Sequence, residues 1–495
     1  MLQEPVQVIF LAIKNRWHGM PFGVVALIAF YRIFLIFNIY RNRPRNIPLK
    51  STPYSFGKWF KNVEFILHAP EVILQAYGEI GNSTFAVPSL AEYQVLTCSE
   101  DDVKELCNGS EDTLSFHTAM TDRLSHKYTI WDFEYGNVDP HDSIPSRAIK
   151  ERVKEGFAKK IAEGKKVGGW TSVSIFKFSK AVIEEVNAQV ILGTELANNH
   201  DYTVFAGEFA RQLSSFLTAI VAPAIMRFRG NMRKLAGYIG PVLERRLREE
   251  KDGVDLSKKY MDCIQWTVDS SRTAPQREIN RLIARVIGIL LASSHQMSMS
   301  LVYDICTLYD NPEYIEPLRK EIREALHNNS NDPFKEMHLL DSFLLEVARL
   351  NPPDALTVQR KVMKPFKLPS GAYIPAGNLV AVPMQALARN KDIYPDPDRF
   401  DGRRFFNANA KKGENGPVTK FTDVSYAYPY WGSPRKSWLQ TIKQSLVHLL
   451  LNYDFKLEDE KAPRFYNWTT AIVPRFSTRL LLKKREDGGL EGLKA

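Results

Sequence analysis

Cysteine is scarce in this sequence of 495 residues. The chain has four cysteines, Cys98, Cys107, Cys263 and Cys306, and none follows Cys306. No two of them form a Cys-x-x-C pair, so the spacing of a zinc site is missing and a small disulfide-rich scaffold is excluded. Few, unpaired thiols favour a reducing compartment, because stable disulfides belong to oxidising ones.

The sequence also lacks a concentrated block of basic residues. Its 66 Lys and Arg exceed its 56 Asp and Glu to give a net charge of +10, which is spread along the chain. We therefore expect no nucleic-acid partner, and the excess suits an anionic membrane surface or an acidic redox partner better. With 44% apolar and 25% charged residues, the chain is typical of one large fold or two fused lobes, not of a disordered protein.

Residues 21–40 are mostly apolar and long enough to cross a bilayer core as one helix, with Arg32 as the one interrupting charge. The basic stretch that follows ends at Pro48, and positive charge on that side favours a cytoplasmic body. A buried core helix is the alternative. We predict that residues 1–48 form a single-pass anchor and hinge in the endoplasmic reticulum membrane, with the catalytic body in the cytoplasm.

Helical patterns dominate the rest of the chain, with a minor β part. The longest predicted helix runs from Pro275 to Tyr309, and its apolar middle should cross the protein interior. Pro369-Ser370-Gly371 lies between two short apolar stretches and predicts a β-hairpin, and residues 379–383 and 478–483 predict strands. The sequence therefore predicts a mainly α fold with a small β lobe, in the α+β class.

Four motifs occur in one order in the C-terminal part of the chain. The first is the Glu-x-x-Arg pair Glu346 and Arg349 in a predicted helix, which alone is a weak signal. The other three, in chain order, are Pro375-Ala376-Gly377, residues 394–400 followed by Arg404-Phe405, and Tyr430-Trp431-Gly432 before a final helix. Together, after a membrane anchor and a long apolar helix, they resemble the cytochrome P-450 superfamily in its fungal microsomal form.

This resemblance covers nearly the whole chain and implies a fold and a structural network. The fold is triangular and mostly helical with a small β lobe, and residues 49–495 form one cytochrome P-450-like domain. The resemblance also implies that Glu346, Arg349 and Arg399 form a buried ion network that holds the chain before the cofactor loop. Such a network is structural, because a buried charge needs all of its partners.

The sequence departs from the family pattern at three positions around the cofactor. The family holds its haem iron with a cysteine thiolate, which the resemblance places directly after Ser437, where this chain has Trp438. Gln296 stands where relatives carry a Thr that manages protons for dioxygen, and Gln385 stands where many carry a His near a haem propionate. Four other side chains could in principle ligate iron, although packing explains them as well: Tyr426, Tyr428, Tyr430 and His448.

The missing cysteine predicts a protein without haem, bound metal or any other cofactor. An apolar pocket could then fold a lipophilic terpenoid or polyketide of fungal secondary metabolism into one reactive conformer. The reaction would be a cyclisation or isomerisation, such as an intramolecular Diels–Alder cycloaddition. His295 and Gln296 are the candidate catalytic donors, with Ser293 and Ser294 beside them in the pocket. For His295, a core histidine bonded to a neighbouring helix is the alternative.

Two other hypotheses remain open at this point. In the first, the protein is a haem-thiolate monooxygenase whose cysteine loop was lost in gene prediction, and it then binds haem and needs a reductase partner. In the second, it is a non-catalytic scaffold for pathway partners at the membrane. The transcript across Ser437 and Trp438 discriminates the first hypothesis from a haem-free protein.

Overall fold

The computed structural model describes most of the chain. The described residues are 40–50, 59–89, 92–124, 146–199, 201–202, 222–328, 332–411, 420–421, 429–430 and 440–486, with the single residues Phe30, Ile33, Phe37, Phe205 and Tyr426. The predicted membrane segment, residues 21–40, therefore lies almost wholly outside them.

Helices make up most of the described chain. In chain order they are α1 Trp59–Ile80, α2 Glu100–Asn108, α3 Phe116–Leu124, α4 Ser146–Ala162, α5 Ile175–Asn187, α6 Gly193–Ala197, α7 Ala222–Lys251, α8 Leu256–Lys259, α9 Cys263–Asp269, α10 Ile279–Asp310, α11 Ile315–His327, α12 His338–Leu350, α13 Met384–Leu387, α14 Arg404–Lys411 and α15 Gln440–Asn452. A π-helical turn, Ala188–Leu192, joins α5 to α6.

The 32-residue helix α10 packs against α5, α7, α12 and α15. The sequence predicts this helix from residue 275, but Pro275–Arg277 form a separate 3-10 turn because Glu278 has an extended backbone, with φ −60° and ψ 131°. The helix stops at Asp310, before Asn311 and Pro312, because the residue before a proline is disfavoured in helical conformation. The apolar middle predicted for the protein interior thus belongs to the element on which the other long helices pack.

Among the described helices, α10 is the one that is long and apolar enough to cross a membrane by length and composition. Within its most apolar stretch, 62% is buried inside the protein. Burial of this kind is expected of a helix in the core of a large domain.

The strands are short and form two larger sheets and two hairpins. They are β1 Phe85–Pro88, β2 Tyr93–Leu96, β3 Leu114–Ser115, β4 Lys165–Val167, β5 Trp170–Ser174, β6 Thr357–Val362, β7 Phe366–Lys367, β8 Tyr373–Ile374, β9 Leu379–Val382, β10 Tyr453–Leu457, β11 Phe465–Trp468, β12 Ala471–Pro474 and β13 Arg479–Lys484. The larger sheets have the orders β1-β2-β9-β6-β3 and β10-β13-β5-β4, and the hairpins are β7-β8 and β11-β12. The predicted hairpin is β7-β8, and its turn contains Gly371 at φ +90°.

The apolar core follows this division. The largest cluster of buried apolar side chains comes mainly from the helices, with residues of α4, α5, α7, α10, α12 and α15. Smaller clusters lie under the five-stranded sheet, between it and α1 or α2. The predicted fold class, mainly α with a small β lobe, is confirmed.

Candidate active site

The middle of α10 carries the residues that the sequence predicts for the pocket. The hydroxyls of Ser293 and Ser294 donate to the backbone carbonyl of Leu290, at 3.1 and 2.7 Å. Asn187 at the end of α5 donates to the Ser294 hydroxyl at 3.1 Å. Because each serine proton is used within the helix, these two hydroxyls stabilise α10 and its contact with α5 and have no further donor to offer a ligand.

His295 and Gln296 follow on the same turn, and both are exposed. The His295 ring meets Phe176 of α5 edge-on, with centroids 6.2 Å apart, and Phe176 in turn contacts Phe476 at 5.0 Å. His295 is thus an exposed residue beside an aromatic pair and not a core histidine. The structure places the four predicted residues on one turn but divides them into a helix-bonded serine pair and an exposed polar pair.

A narrow interior space, too small to hold a water molecule, lies between the C-terminal half of α10, the end of α12, Phe421 and Tyr430. Asp304 of α10 lines it and is buried, and among the described residues its Oδ2 atom has no hydrogen-bond partner. Burial raises the pKa of Asp304 well above its ordinary value, and burial also raises the pKa of Tyr430. Both groups therefore resist ionisation, and Tyr430 is an interior residue of this space.

Of the other three candidate iron ligands, His448 and Tyr426 lie among the described residues, and both contact neighbouring side chains. His448 of α15 has ring contacts with Phe157 and Tyr453, at centroid distances of 4.6 and 6.0 Å. Burial lowers the pKa of His448 to about 4, with a smaller contribution from Lys154. The Tyr426 hydroxyl lies 3.5 Å from the Asn108 amide, and Tyr428 lies outside the described residues.

Glu346 and Arg349 of α12 form a fully buried bidentate pair. Arg349 Nε and Nη2 donate to the two Glu346 oxygens at 2.7 and 2.8 Å, and Nη1 donates to the backbone carbonyls of Ala388 and Pro397. The second cation on Glu346 is Arg404, whose Nε lies 3.1 Å from both carboxylate oxygens.

Arg399 occupies a different place from the one expected. Its side chain is exposed, and its backbone carbonyl accepts a hydrogen bond from Arg404 Nη2 at 3.1 Å. The turn from Asp396 to Arg399, with Asp396 at φ +46°, directs the chain so that α14 brings Arg404 to Glu346. The sequence motif that ends in Arg404-Phe405 contains both arginines. Its spacing alone did not show that Arg404, and not Arg399, pairs with Glu346.

Three of the four thiols of the chain are poorly suited to ligate iron. Cys263 and Cys306 are buried in α9 and α10, and burial raises the pKa of each to about 12. Burial raises the pKa of Cys98 to about 12 as well. Because a thiolate is the form that ligates iron, these cysteines are poor ligands, and Ser437 is followed directly by Trp438. Among the described residues, no group of three or more His, Cys, Asp or Glu is placed to hold a metal ion.

Comparisons with known proteins identify relatives over most of the chain. The family model described as Cytochrome P-450 matches residues 157–422. The chain is 26% identical over 483 residues to Cytochrome P-450 monooxygenase olcJ of Penicillium canescens, covering 91% of this chain and 90% of that protein. It is 26% identical to Ent-kaurene oxidase of Gibberella intermedia, covering 86% of each.

A solved structure has the same fold. The retinoic acid-bound cyanobacterial CYP120A1 matches with a TM-score of 0.61 and 15% sequence identity, over 86% of this chain and 96% of that one. At this level of identity the match establishes the fold alone.

These relatives and this fold imply a haem cofactor, so the expectation that the protein has no cofactor is wrong. The residues of this sequence nevertheless do not complete a haem-thiolate site, because none of its four cysteines follows residue 306 and burial raises the pKa of three of them. The disagreement between the sequence and its relatives concerns the Ser437–Trp438 junction, where the family resemblance places the cysteine. The family model matches more than half of the chain, and the order of the motifs and the fold agree with it: the chain belongs to the cytochrome P-450 family.

Proposed function

We propose that the complete protein is a haem-dependent monooxygenase and that the printed sequence lacks a short cysteine-containing loop between Ser437 and Trp438. The observation that carries this proposal is that the chain aligns with a fungal monooxygenase over about nine-tenths of both proteins. Described residues on both sides of the junction are also packed in the protein interior. Tyr430 is packed in the interior before it, and Lys443 is buried in α15 after it. A mis-set splice site would remove an internal stretch and leave both flanks intact.

The substrate we propose is a lipophilic small molecule of fungal secondary metabolism, of the terpenoid class. Two relatives named Ent-kaurene oxidase, from Gibberella intermedia and Gibberella fujikuroi, support this class, each at 26% identity. The relatives named as monooxygenases support oxidation over a cyclisation or isomerisation without an oxidant.

His295 and Gln296 remain our candidates for residues that serve the active site. They form an exposed polar pair in the middle of α10, where the family resemblance places groups that manage protons. The serine pair and Asn187 fix the turn that presents them. We propose that this turn faces the substrate and that Ser293 and Ser294 keep its geometry.

A membrane location on the endoplasmic reticulum, with the body in the cytoplasm and a reductase as partner, also belongs to the proposal. Phe30, Ile33, Phe37 and Tyr40 are helical and 60–71% exposed. Their spacing of three or four residues puts them on one side of a helix, where an apolar stripe suits a lipid environment.

The test is to clone the transcript from the organism and to express the protein that it encodes. We expect an insert that encodes a cysteine after Ser437, a purified protein with the absorbance of thiolate-ligated haem, and oxidation of a terpenoid that depends on NADPH and a reductase. Replacing the inserted cysteine by alanine should abolish the thiolate spectrum while the protein stays folded. An uninterrupted Ser437–Trp438 junction in every transcript overturns the proposal.

A further inference from the structure

Phe421 lies before the Ser437–Trp438 junction and Lys443 lies after it, and both donate a hydrogen bond to the same oxygen atom of Asp341. Asp341 of α12 accepts a hydrogen bond through Oδ1 from the backbone N–H of Phe421 at 3.3 Å. The same Oδ1 accepts a hydrogen bond from Lys443 Nζ of α15 at 2.8 Å. A single carboxylate therefore contacts the chain on both sides of the Ser437–Trp438 junction.

The contact is in the protein interior. Asp341 is 3% exposed, and Phe421 and Lys443 are 1% and 4% exposed. Lys443 Nζ also donates to the backbone carbonyls of Phe334 and Met337, at 2.6 and 3.3 Å, so its charge is surrounded by oxygen atoms. The ammonium group is thus fixed in position, and it cannot swing into solvent without leaving these acceptors unpaired.

Apolar side chains could fill the volume that the Asp341–Lys443 ion pair occupies. Burial raises the pKa of Asp341 and lowers the pKa of Lys443, so desolvation outweighs the attraction between them in both cases. A buried ion pair of this kind is often matched in stability by apolar side chains of similar volume. What apolar side chains cannot supply is an acceptor for the Phe421 N–H, so the pair has a positional effect that is separate from its effect on stability.

We propose that Asp341 is a positioning residue that holds the chain at Phe421 and at the first turn of α15 in a fixed relation to α12. Residues between these two ends can then differ in number without moving the flanks. The role of this geometry in presenting a haem ligand rests on the proposed function, whereas the geometry itself does not. Asp341 does not touch the reacting atoms and is not a catalytic residue.

The experiment compares stability with local opening in the full chain. Amide hydrogen exchange is followed by mass spectrometry at Phe421 and at residues 444–447, whose N–H groups close the first turn of α15. The variants are Asp341→Leu, the double variant Asp341→Leu/Lys443→Leu, and a control pair, Arg246→Leu/Asp262→Leu. The control removes an equally buried bidentate ion pair that joins α7 to the start of α9.

We expect the Asp341→Leu/Lys443→Leu protein to recover most of the melting temperature that Asp341→Leu loses, because no charge is left unpaired. Exchange at Phe421 should still be about ten-fold faster than in the unmodified chain, because its acceptor is gone. The control pair should leave exchange at Phe421 unchanged. The proposal is overturned if exchange at Phe421 recovers together with the melting temperature, or if the control accelerates it equally.

Lys443→Met keeps the test decisive if Asp341→Leu does not fold. This variant keeps the acceptor for Phe421, so exchange should rise at residues 444–447 and stay slow at Phe421. Equal acceleration at both places would contradict a role for the Asp341 oxygen. None of these measurements needs haem or the inserted cysteine, so their outcome is independent of the transcript test.

Discussion

Glu346 shows how one buried carboxylate organises the chain before the cofactor loop. Arg349 comes from the same helix, and Arg404 comes from α14, so the carboxylate joins two elements that are far apart in sequence. Arg349 also lies over the Tyr394 ring, 5.0 Å from its centroid, which ties the intervening residues to the same centre. The structure therefore predicts different effects for the two arginines of this region.

Arg404→Met should lower the free energy of unfolding by about 2 kcal/mol, because it removes a charge-assisted hydrogen-bonding partner from a fully buried carboxylate. Arg399→Met, the matched control, should change it by less than about 0.5 kcal/mol, because the Arg399 side chain is exposed. Urea unfolding of the two variants measures both values. An effect of Arg399→Met as large as that of Arg404→Met would mean that Arg399 belongs to the ion network of Glu346.

Asp304 should make stability depend on pH. Burial raises its pKa in the folded state, so the folded protein holds a proton that the unfolded chain releases, and stability falls as pH rises above the ordinary carboxyl pKa. Relative to Asp304→Asn, which cannot ionise, the unmodified chain should lose up to about 1.4 kcal/mol per pH unit above about pH 4. Urea unfolding of both proteins from about pH 4.5 to 7 tests this. Parallel pH profiles would mean that Asp304 ionises freely when folded.

The helices and strands were predictable from local patterns to different degrees. The hairpin at Pro369-Ser370-Gly371 and the strand Leu379–Val382 agree with the sequence, because turn chemistry and apolar runs act over a few residues. The start of α10 was placed four residues early, since Pro275 suits a first helical turn equally well when that turn is a separate 3-10 turn. The choice of Arg404 over Arg399 depends on the path of residues 388–404 around α12, which no local pattern encodes.

The junction between α5 and α6 offers a prediction about backbone geometry. Gly193 has φ +79°, and a Cβ atom there would clash with Asp262 Oδ2, which accepts a hydrogen bond from the buried Arg246. Gly253 has φ +80°, but a Cβ atom there would meet no atom of the described residues within 4 Å. Gly193→Ala should therefore cost about 2 kcal/mol more than Gly253→Ala, because both pay for the left-handed backbone and only the first displaces Asp262. Thermal unfolding compares them, and equal losses would contradict this account.

At the scale of the whole molecule, the family was predictable because four weak motifs keep their order along the chain. The cofactor was not, because a loss of cysteine in one short stretch does not show whether the entire protein is without haem. The alignment with relatives over about nine-tenths of the chain weighs against that inference. If Asp341 holds both flanks of the junction as we propose, residues can be inserted between them without displacing Phe421 or Lys443.

The proposed membrane anchor gives a prediction at this scale. Removing residues 1–48 should move the protein from the membrane fraction to the supernatant of a cell lysate, because it removes the apolar run and the exposed stripe of Phe30, Ile33 and Phe37. Replacing these three residues by Asp in the full chain should have the same effect. Retention of both variants in the membrane fraction would place the membrane contact elsewhere on the body.

The most direct test of the central claim is the sequence of the natural protein across one peptide bond. Mass-spectrometric peptide mapping of the protein isolated from its organism should find residues inserted between Ser437 and Trp438, with a cysteine among them. A peptide in which Ser437 is joined directly to Trp438, with no longer form present, would contradict the assignment of a haem-thiolate enzyme.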